Sequence, residues 1–227
     1  MLQQTQTSRV VQKYEKFIQT LPTIDLLAQA SNEDILRLWQ GLGYNRRGLY
    51  LKKSAEIIIS SKHFPNTIEE LVKLPGIGRN TAGAIMAFAF DTPVIFIETN
   101  IRRVFIHEFF SRKTPIDDKE ILPIIKTTLP EGNIRNWYYA LMDYGSYLGR
   151  TEINPNRKSK QHKRQSKFEG SVRQTRGAIL KELLKGHQER NVLADRMENT
   201  PNFSTALTQL IDEGFIEKNK DILSIKS

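Results

Sequence analysis

Apolar residues recur every three or four positions through most of the first 148 residues, which is the spacing of one face of an α-helix. Breaks that contain glycine, proline or capping residues separate the helical stretches. Strand-like alternation is scarce, and Val94–Ile97 is too short to build a sheet. Helices are predicted over residues 10–18, 31–39, 47–61, 67–73, 80–90, 99–110 and 136–148. A further helix is predicted to begin with Asp117 and Asp118 as caps and to break near Pro123. The pattern therefore predicts an all-α fold.

The pattern changes in the last part of the chain. A helix over residues 171–186 is followed by shorter helical candidates over 192–197 and 203–214. Residues 215–225 then alternate between apolar and polar, as a short β-hairpin does. This order resembles a small winged-helix module. The predicted division is a domain over 1–149, a basic linker over 150–170 and a winged-helix-like domain over 171–227.

Positive charge is concentrated between these two parts. Residues 150–176 hold nine basic and two acidic residues, in a chain whose net charge is +9. Such a stripe suits the backbone of a nucleic acid, although a solvated basic linker would have the same composition. The chain has no cysteine, which excludes disulfides and thiolate-bound zinc or iron–sulfur clusters. Its four histidines are scattered, so no metal site is predicted.

The most specific local feature is the turn Leu74-Pro-Gly-Ile-Gly78 between two predicted helices. Pro75 and Gly76 end the first helix, and Gly78 lets a partner approach the backbone closely. The second helix then begins with N–H groups that point outward and can bind a phosphate oxygen. Glu98 follows Gly78 by 20 residues, at the start of another helix. A phosphate cradle followed by a lone carboxylate is typical of an enzyme that acts on a nucleotide.

Five motifs that include this turn occur in order along residues 1–150. They are Met1-Leu-Gln-Gln-Thr-Gln6, Trp39-Gln-Gly-Leu-Gly-Tyr44, Leu74-Pro-Gly-Ile-Gly-Arg-Asn-Thr-Ala82, Glu98-Thr-Asn-Ile-Arg-Arg-Val104 and Ala140-Leu-Met-Asp-Tyr-Gly145. In this order and spacing they resemble the helix-hairpin-helix (HhH-GPD) DNA glycosylase superfamily, and within it the MutY-type adenine glycosylases. A lone Pro-Gly-Ile-Gly would indicate only a turn.

The resemblance implies an enzyme that flips a base out of the duplex and hydrolyses its N-glycosidic bond. Glu98 stands where the family has its catalytic aspartate, so it would stabilise the sugar cation of the transition state. Its side chain is one methylene longer, which adds about 1 Å of reach. The alternative is that Glu98 only stabilises the start of its helix.

The family's general acid lies two residues before the Met-Leu-Gln-Gln motif, where this sequence begins. The domain over 1–149 is therefore expected to be truncated at its N-terminus. Either the start is an internal methionine, which the intact remainder of the motif favours, or the protein lacks its acid.

Further roles follow from the same resemblance. Asn80 stands where bifunctional relatives have a Schiff-base lysine, so a monofunctional enzyme is expected. Tyr44 would wedge into the duplex and Gln4 would fill the space of the flipped base. The hairpin residues expected to contact phosphate are Gly76, Ile77, Gly78, Arg79 and Asn80. A monovalent cation at the hairpin is the one cofactor that the family suggests.

Many relatives hold an iron–sulfur cluster after the Met-Asp-x-Gly helix. The first of its cysteines corresponds to Gly149, and the basic segment stands where the others would follow. We therefore expect no cluster and hypothesise that cationic residues of this segment contact DNA in its place. They are Lys158, Lys160, Lys163 and Arg164.

The predicted function is base excision repair, by removal of adenine mispaired with guanine or 8-oxoguanine. Two alternatives stay open: a non-catalytic protein that binds mismatched or bent DNA, and a glycosylase for thymine or uracil opposite guanine. The expected partner is double-stranded DNA with a mismatch or damaged base. No apolar run approaches the roughly 20 residues that cross a bilayer, and no signal peptide is recognisable. The sequence thus predicts a cytoplasmic, nucleoid-associated monomer.

Overall fold

The structure, a computed structural model, describes residues 1–3, 5–110, 112–162, 167–198 and 200–226. The chain forms two compact units: residues 1–63 together with 165–227, and residues 64–164. These units are defined by packing, whereas the predicted division into 1–149, 150–170 and 171–227 follows chain order and stays a prediction. Among the described residues, no helix is both long and apolar enough to cross a membrane.

Helices dominate the described residues, as the sequence predicted. The elements in chain order are α1 (Thr7–Thr20), α2 (Ile24–Gln29), α3 (Asn32–Trp39), α4 (Arg46–Ser61), α5 (Ile68–Leu71), α6 (Arg79–Phe90), α7 (Thr99–Phe109), α8 (Asp118–Thr128), α9 (Ile134–Thr151), a 3₁₀ helix (Pro155–Lys158), α10 (Val172–Leu183), β1 (Gln188–Glu189), α11 (Arg190–Arg196), α12 (Phe203–Asp212), β2 (Ile216–Asn219) and β3 (Ile222–Ile225). The sequence pattern did not predict α2, which is only six residues long and contains no fully buried residue.

The first unit joins the two ends of the chain through α3. One core cluster packs α1 against α3 and includes Phe17 and Trp39. The other forms the interior of the C-terminal module, and Leu36 of α3 belongs to it. That module has the order helix, strand, helix, helix, strand, strand, and its antiparallel sheet has the strand order β1-β3-β2. The predicted winged-helix-like segment is thus confirmed, with β1 as an additional edge strand.

The second unit surrounds α7, whose apolar residues lie at the centre of the core. Ile101 and Ile106 are fully buried against side chains of α8 and α9. Gly145 lets α9 approach α7 closely, because an added Cβ there would lie 2.3 Å from the carbonyl oxygen of Asn100. This close packing fixes the start of α7, where Glu98 lies.

Helix α8 differs from its prediction. It continues through Pro123 instead of breaking there. Pro123 is exposed, so the hydrogen bond that it cannot donate is lost on the solvent side. Ile121 and Ile125 are fully buried on either side of the proline and hold both halves of the helix against the core.

Candidate functional site

The turn between α5 and α6 has the geometry that its sequence predicted. Gly76 adopts a φ of +74°, which favours glycine. Gly78 is the N-cap of α6 with an ordinary φ of −90°, so its backbone does not require glycine. Instead, the missing side chain leaves the first N–H groups of α6 without an N-cap acceptor, and an added Cβ would meet nothing within 4 Å. The start of α6 is therefore open to an anion.

The hairpin is anchored from within and exposed at its tip. Leu71 and Leu74 are buried, Ile77 is half-buried, and Arg79 and Asn80 are exposed. The side of the tip opens on a cavity of about 310 Å³ whose lining includes Arg79, Asn80 and residues 95–97. The structure thus places the hairpin beside the segment that leads into Glu98.

Glu98 is the N-cap of α7. Its Oε1 accepts hydrogen bonds from the backbone N–H groups of Asn100 (2.6 Å) and Ile101 (2.8 Å). Burial raises the pKa of Glu98, an effect that these two bonds and the charges of Arg102 and Arg103 oppose. Its other oxygen, Oε2, makes no hydrogen bond to any residue that the structure describes. One oxygen of the carboxylate therefore stabilises the start of α7, and Oε2 takes no part in that cap.

The first turn of α7 is held by residues that the sequence analysis did not single out. The Arg103 guanidinium donates to Asn100 Oδ1 (2.8 Å), Asn154 Oδ1 (3.1 Å) and the carbonyl of Gly145. Asn156, which is buried, donates its Nδ2–H to the carbonyl oxygen of Thr99. Arg102 forms a bidentate pair with Asp118. The Arg-Arg pair after Glu98 was visible in the sequence, but its partners come from distant segments.

The segment that was predicted as part of a basic linker is packed over its described residues. Pro155, Asn156 and Ser159 are buried, and Ile116 exchanges backbone hydrogen bonds with residues 158 and 160. These residues therefore form an ordered part of the second unit. The absence of cysteine means that this segment has no thiolate ligands for an iron–sulfur cluster.

The structure describes two of the four basic residues of this segment that are proposed to contact DNA. Lys158 is half-buried with its Nζ 3.4 Å from the carbonyl oxygen of Phe110, and Lys160 is exposed with its Nζ 3.7 Å from Asp117 Oδ2. Lys163 and Arg164 lie outside the described residues, as does Gln4. Their roles stay predictions. Within the described ranges, no three His, Asp or Glu side chains converge as a metal site requires.

Tyr44, in the first unit, ends a turn with left-handed backbone at three positions. The φ angles are +86° at Gly41, +71° at Gly43 and +48° at Tyr44. An aromatic residue in this conformation is strained, by about 1–3 kcal/mol. Arg47 holds the turn, and its guanidinium also stacks on Trp39 at 5.4 Å. It donates to the carbonyls of Met1, Gln3, Leu42 and Gly43 and to the hydroxyl of Thr5.

Comparison with known proteins identifies the family of the chain. A family model described as HhH-GPD superfamily base excision DNA repair protein matches residues 1–130. An adenine DNA glycosylase of Buchnera aphidicola subsp. Baizongia pistaciae is 37% identical over 151 residues, which are 65% of this chain and 43% of that protein. The adenine DNA glycosylase of Rattus norvegicus is 44% identical over 107 residues, which are 46% of this chain and 21% of that protein. The chain thus spans less than half the length of these relatives.

A solved structure shows the same architecture. A thermostable thymine-DNA glycosylase superposes with a TM-score of 0.57 over 69% of this chain and 75% of that chain, at 22% sequence identity. At that identity the likeness shows the fold alone. The helix-hairpin-helix glycosylase fold that the sequence predicted is confirmed.

Proposed function

Because the chain belongs to the HhH-GPD superfamily of base excision DNA repair proteins, we propose that it removes adenine from mismatched duplex DNA by hydrolysing the N-glycosidic bond. Adenine is proposed because the adenine DNA glycosylases of Buchnera aphidicola subsp. Baizongia pistaciae and Rattus norvegicus are 37% and 44% identical to this chain over 151 and 107 residues. The expected opposite bases are guanine and 8-oxoguanine. The observation that carries the proposal is the position of Glu98 at the start of α7, in the same unit as the exposed hairpin.

The hairpin would bind the DNA backbone. A phosphate at the start of α6 would accept hydrogen bonds from N–H groups that Gly78 leaves uncapped, and the helix dipole would favour its charge. Arg79, exposed at the same end, would add a charge-assisted contact. These contacts position a duplex without reading its sequence. We also propose that a monovalent cation binds the carbonyl groups of the hairpin and contacts the same phosphate.

Glu98 would act on the sugar of the flipped nucleotide. Cleavage of the N-glycosidic bond leaves positive charge on the sugar ring, and an ionised carboxylate next to C1′ stabilises that charge. Oε2 is the atom proposed for this role, because Oε1 is bound by the N–H groups of Asn100 and Ile101. Since burial raises the pKa of Glu98, the rate should rise with pH until the group is ionised. Asn80 has no amine that could form a Schiff base, so water would complete the reaction without cutting the strand.

The test is single-turnover cleavage of labelled duplexes that contain A opposite 8-oxoguanine, A opposite G, T opposite G, or only matched pairs. We expect abasic product from the first two duplexes and no strand scission before alkali treatment. Product from the T·G duplex alone would favour the thymine alternative. Binding of mismatched duplexes without any abasic product would favour the non-catalytic binder and contradict the enzymatic proposal.

A further inference from the structure

Two arginines from different parts of the chain lie over the ring of Tyr44. Arg47 follows the same turn, and its Cζ lies 5.8 Å from the centre of the tyrosine ring. Arg173 lies in α10, at the start of the C-terminal module, and its Cζ is 5.4 Å from the same ring. Arg173 Nη1 also donates a hydrogen bond of 2.9 Å to the hydroxyl of Tyr44. The C-terminal module therefore touches the residue expected to enter the duplex.

A second aromatic ring belongs to this arrangement. Phe168 precedes α10, and Arg173 lies over its ring at 5.6 Å. The side chain of Phe168 is 59% exposed. One guanidinium thus stacks on two rings, which places both rings on one patch of the first unit. Exposed aromatic rings beside a cation are the combination on which unpaired bases stack in nucleic-acid-binding proteins.

The rest of the module presents a different surface. In a winged helix, the helix in the position of α12 usually enters the DNA groove. Here α12 contains no lysine or arginine. Its exposed residues include Ser204, Thr208 and Asp212. A helix without positive charge is poorly suited to the first encounter with a polyanion.

We infer that the C-terminal module binds DNA through the start of α10, where Phe168 and Arg173 extend the surface around Tyr44, and that α12 takes no part. This inference rests on the proposed function, because the family resemblance places Tyr44 in the duplex only if the chain acts on mismatched DNA. Arg173 would contact a phosphate next to the distorted step while its stacking keeps the tyrosine ring in place. Phe168 would stack on a base that the distortion exposes. This mode of binding differs from that of winged-helix modules that insert the helix in the position of α12 into a DNA groove.

The experiment measures binding of a fluorescein-labelled duplex in which 2′-fluoro-deoxyadenosine, which resists cleavage, stands opposite 8-oxoguanine. Affinity is measured over a series of salt concentrations. Phe168→Ala should weaken binding by about fivefold or more and leave the salt slope unchanged, since stacking releases no counterions. Arg173→Ala should weaken binding and lower the slope of log K against log salt by about 0.9, the value of one phosphate contact. Arg173→Lys should restore the slope but not the full affinity.

Two controls lie in the same module. Lys181→Ala removes an exposed charge near the other end of α10 and should change neither affinity nor slope. Thr208→Ala removes an exposed hydroxyl group from α12 and should also have no effect. Thermal unfolding of each variant identifies any loss of fold. If Arg173→Ala unfolds, Phe168→Ala and Arg173→Lys still decide the question.

The outcomes separate the inference from the proposed function. If the unaltered chain binds the duplex and the Phe168 and Arg173 variants bind equally well, the inference is wrong and the proposed function stands. A loss caused by Thr208→Ala, with none from Phe168→Ala, would assign binding to α12 and also overturn the inference. If the unaltered chain binds no duplex, the proposed function fails first, and the inference fails with it.

Discussion

The two units of the molecule carry different kinds of chemistry. In residues 64–164, the groups proposed to act on DNA lie at helix starts, where Gly78 leaves N–H groups uncapped and Glu98 caps α7. In the unit formed by residues 1–63 and 165–227, the corresponding groups are side chains: Tyr44 with Arg47 and Arg173 stacked on its ring. Backbone N–H groups form the proposed phosphate site and hold the Glu98 carboxylate in one unit, whereas stacking between side chains holds Tyr44 in the other.

This difference fits the two tasks that the proposed base excision would require. Holding a phosphate and stabilising a cation require donors and a carboxylate at fixed positions, and the helix starts supply backbone N–H groups that can bind the phosphate and that restrain Oε1 of Glu98. Distorting a duplex requires a bulky ring held in a defined orientation, and the Tyr44 ring is restrained by two guanidinium groups and by the hydrogen bond from Arg173 to its hydroxyl. Arginines illustrate the contrast, because Arg103 bonds the first turn of α7 whereas Arg47 and Arg173 stack on Tyr44.

The largest expected effect comes from removing the charge of Glu98. Glu98→Gln keeps an oxygen that can accept from the N–H groups of α7 but cannot stabilise a sugar cation. We expect the single-turnover rate to fall by about 10²–10³, while the affinity for mismatched duplex changes little. Glu108→Gln, on the same helix, is the matched control and should leave the rate unchanged.

Glu98→Asp sharpens the same prediction. It restores the residue expected from the family and shortens the reach by about 1 Å. Retention of a substantial part of the rate in Glu98→Asp, together with its loss in Glu98→Gln, would assign the effect to charge. An unchanged rate in Glu98→Gln would leave this residue with its capping role alone and remove the difference between the two units.

The next effect concerns Arg47, whose planar guanidinium binds several carbonyls of the Gly41–Tyr44 turn and the N-terminal segment. Arg47→Lys keeps the charge but offers one ammonium group in place of a rigid fork. We expect the free energy of unfolding, measured in urea, to fall by about 1–3 kcal/mol. Arg46→Lys changes the exposed neighbour and should stay within about 0.5 kcal/mol of the unaltered chain. Equal stability of the two variants would show that side-chain bonding does not hold this turn.

A smaller effect is expected at the hairpin. Gly78→Asp adds a carboxylate that accepts from the first N–H groups of α6, so it should stabilise the helix by a few tenths of a kcal/mol. The same carboxylate would repel a phosphate, and duplex affinity should fall by about tenfold. Gly78→Asn adds a neutral acceptor of similar shape. A comparison of the two variants therefore distinguishes the effect of bonding the N–H groups of α6 from the effect of repelling the phosphate. Duplex affinity that is unchanged in both variants would exclude the start of α6 as a phosphate site.

The sequence predicts the fold and the hairpin well because both depend on local signals. Helical periodicity, the Pro75-Gly76 stop and the capping residues are all readable within a few positions, and Glu98 lies at its predicted helix start. The supporting residues are not readable in this way. Asn156 reaches Thr99, and Arg173 reaches Tyr44, only after distant segments have packed. A charge count identified the basic stretch, but it did not reveal that Pro155, Asn156 and Ser159 face inward.

The smallest effects are opposite pH dependences of stability in the two units. The carboxylate of Glu213, in the first unit, accepts hydrogen bonds from Arg176, and its Oε2 lies 2.6 Å from Nη2 of Arg46. These two arginines lower the pKa of Glu213 from the ordinary value of 4.5. A carboxylate with a lowered pKa stabilises the fold above pH 4.5 and loses that contribution as the pH falls through the folded pKa. Glu98 has a raised pKa, so the native state binds more protons, and its contribution falls as the pH rises above 4.5.

The free energy of unfolding in urea, measured between pH 3.5 and pH 7 at intervals of about half a unit, tests these opposite dependences. Two variants each replace one of the titrating carboxyl groups by an amide. Relative to the unaltered chain, Glu213→Gln should be destabilised near pH 7, and the difference should shrink in acid. Glu98→Gln should be stabilised near pH 7, because Gln still caps α7 without a charge to bury, and that difference should also shrink in acid. If both variants differ from the unaltered chain in the same direction near pH 7, burial is not the main influence on the pKa of Glu98. The carboxylate proposed for catalysis would then behave like that of Glu213, which belongs to an ion pair near the surface.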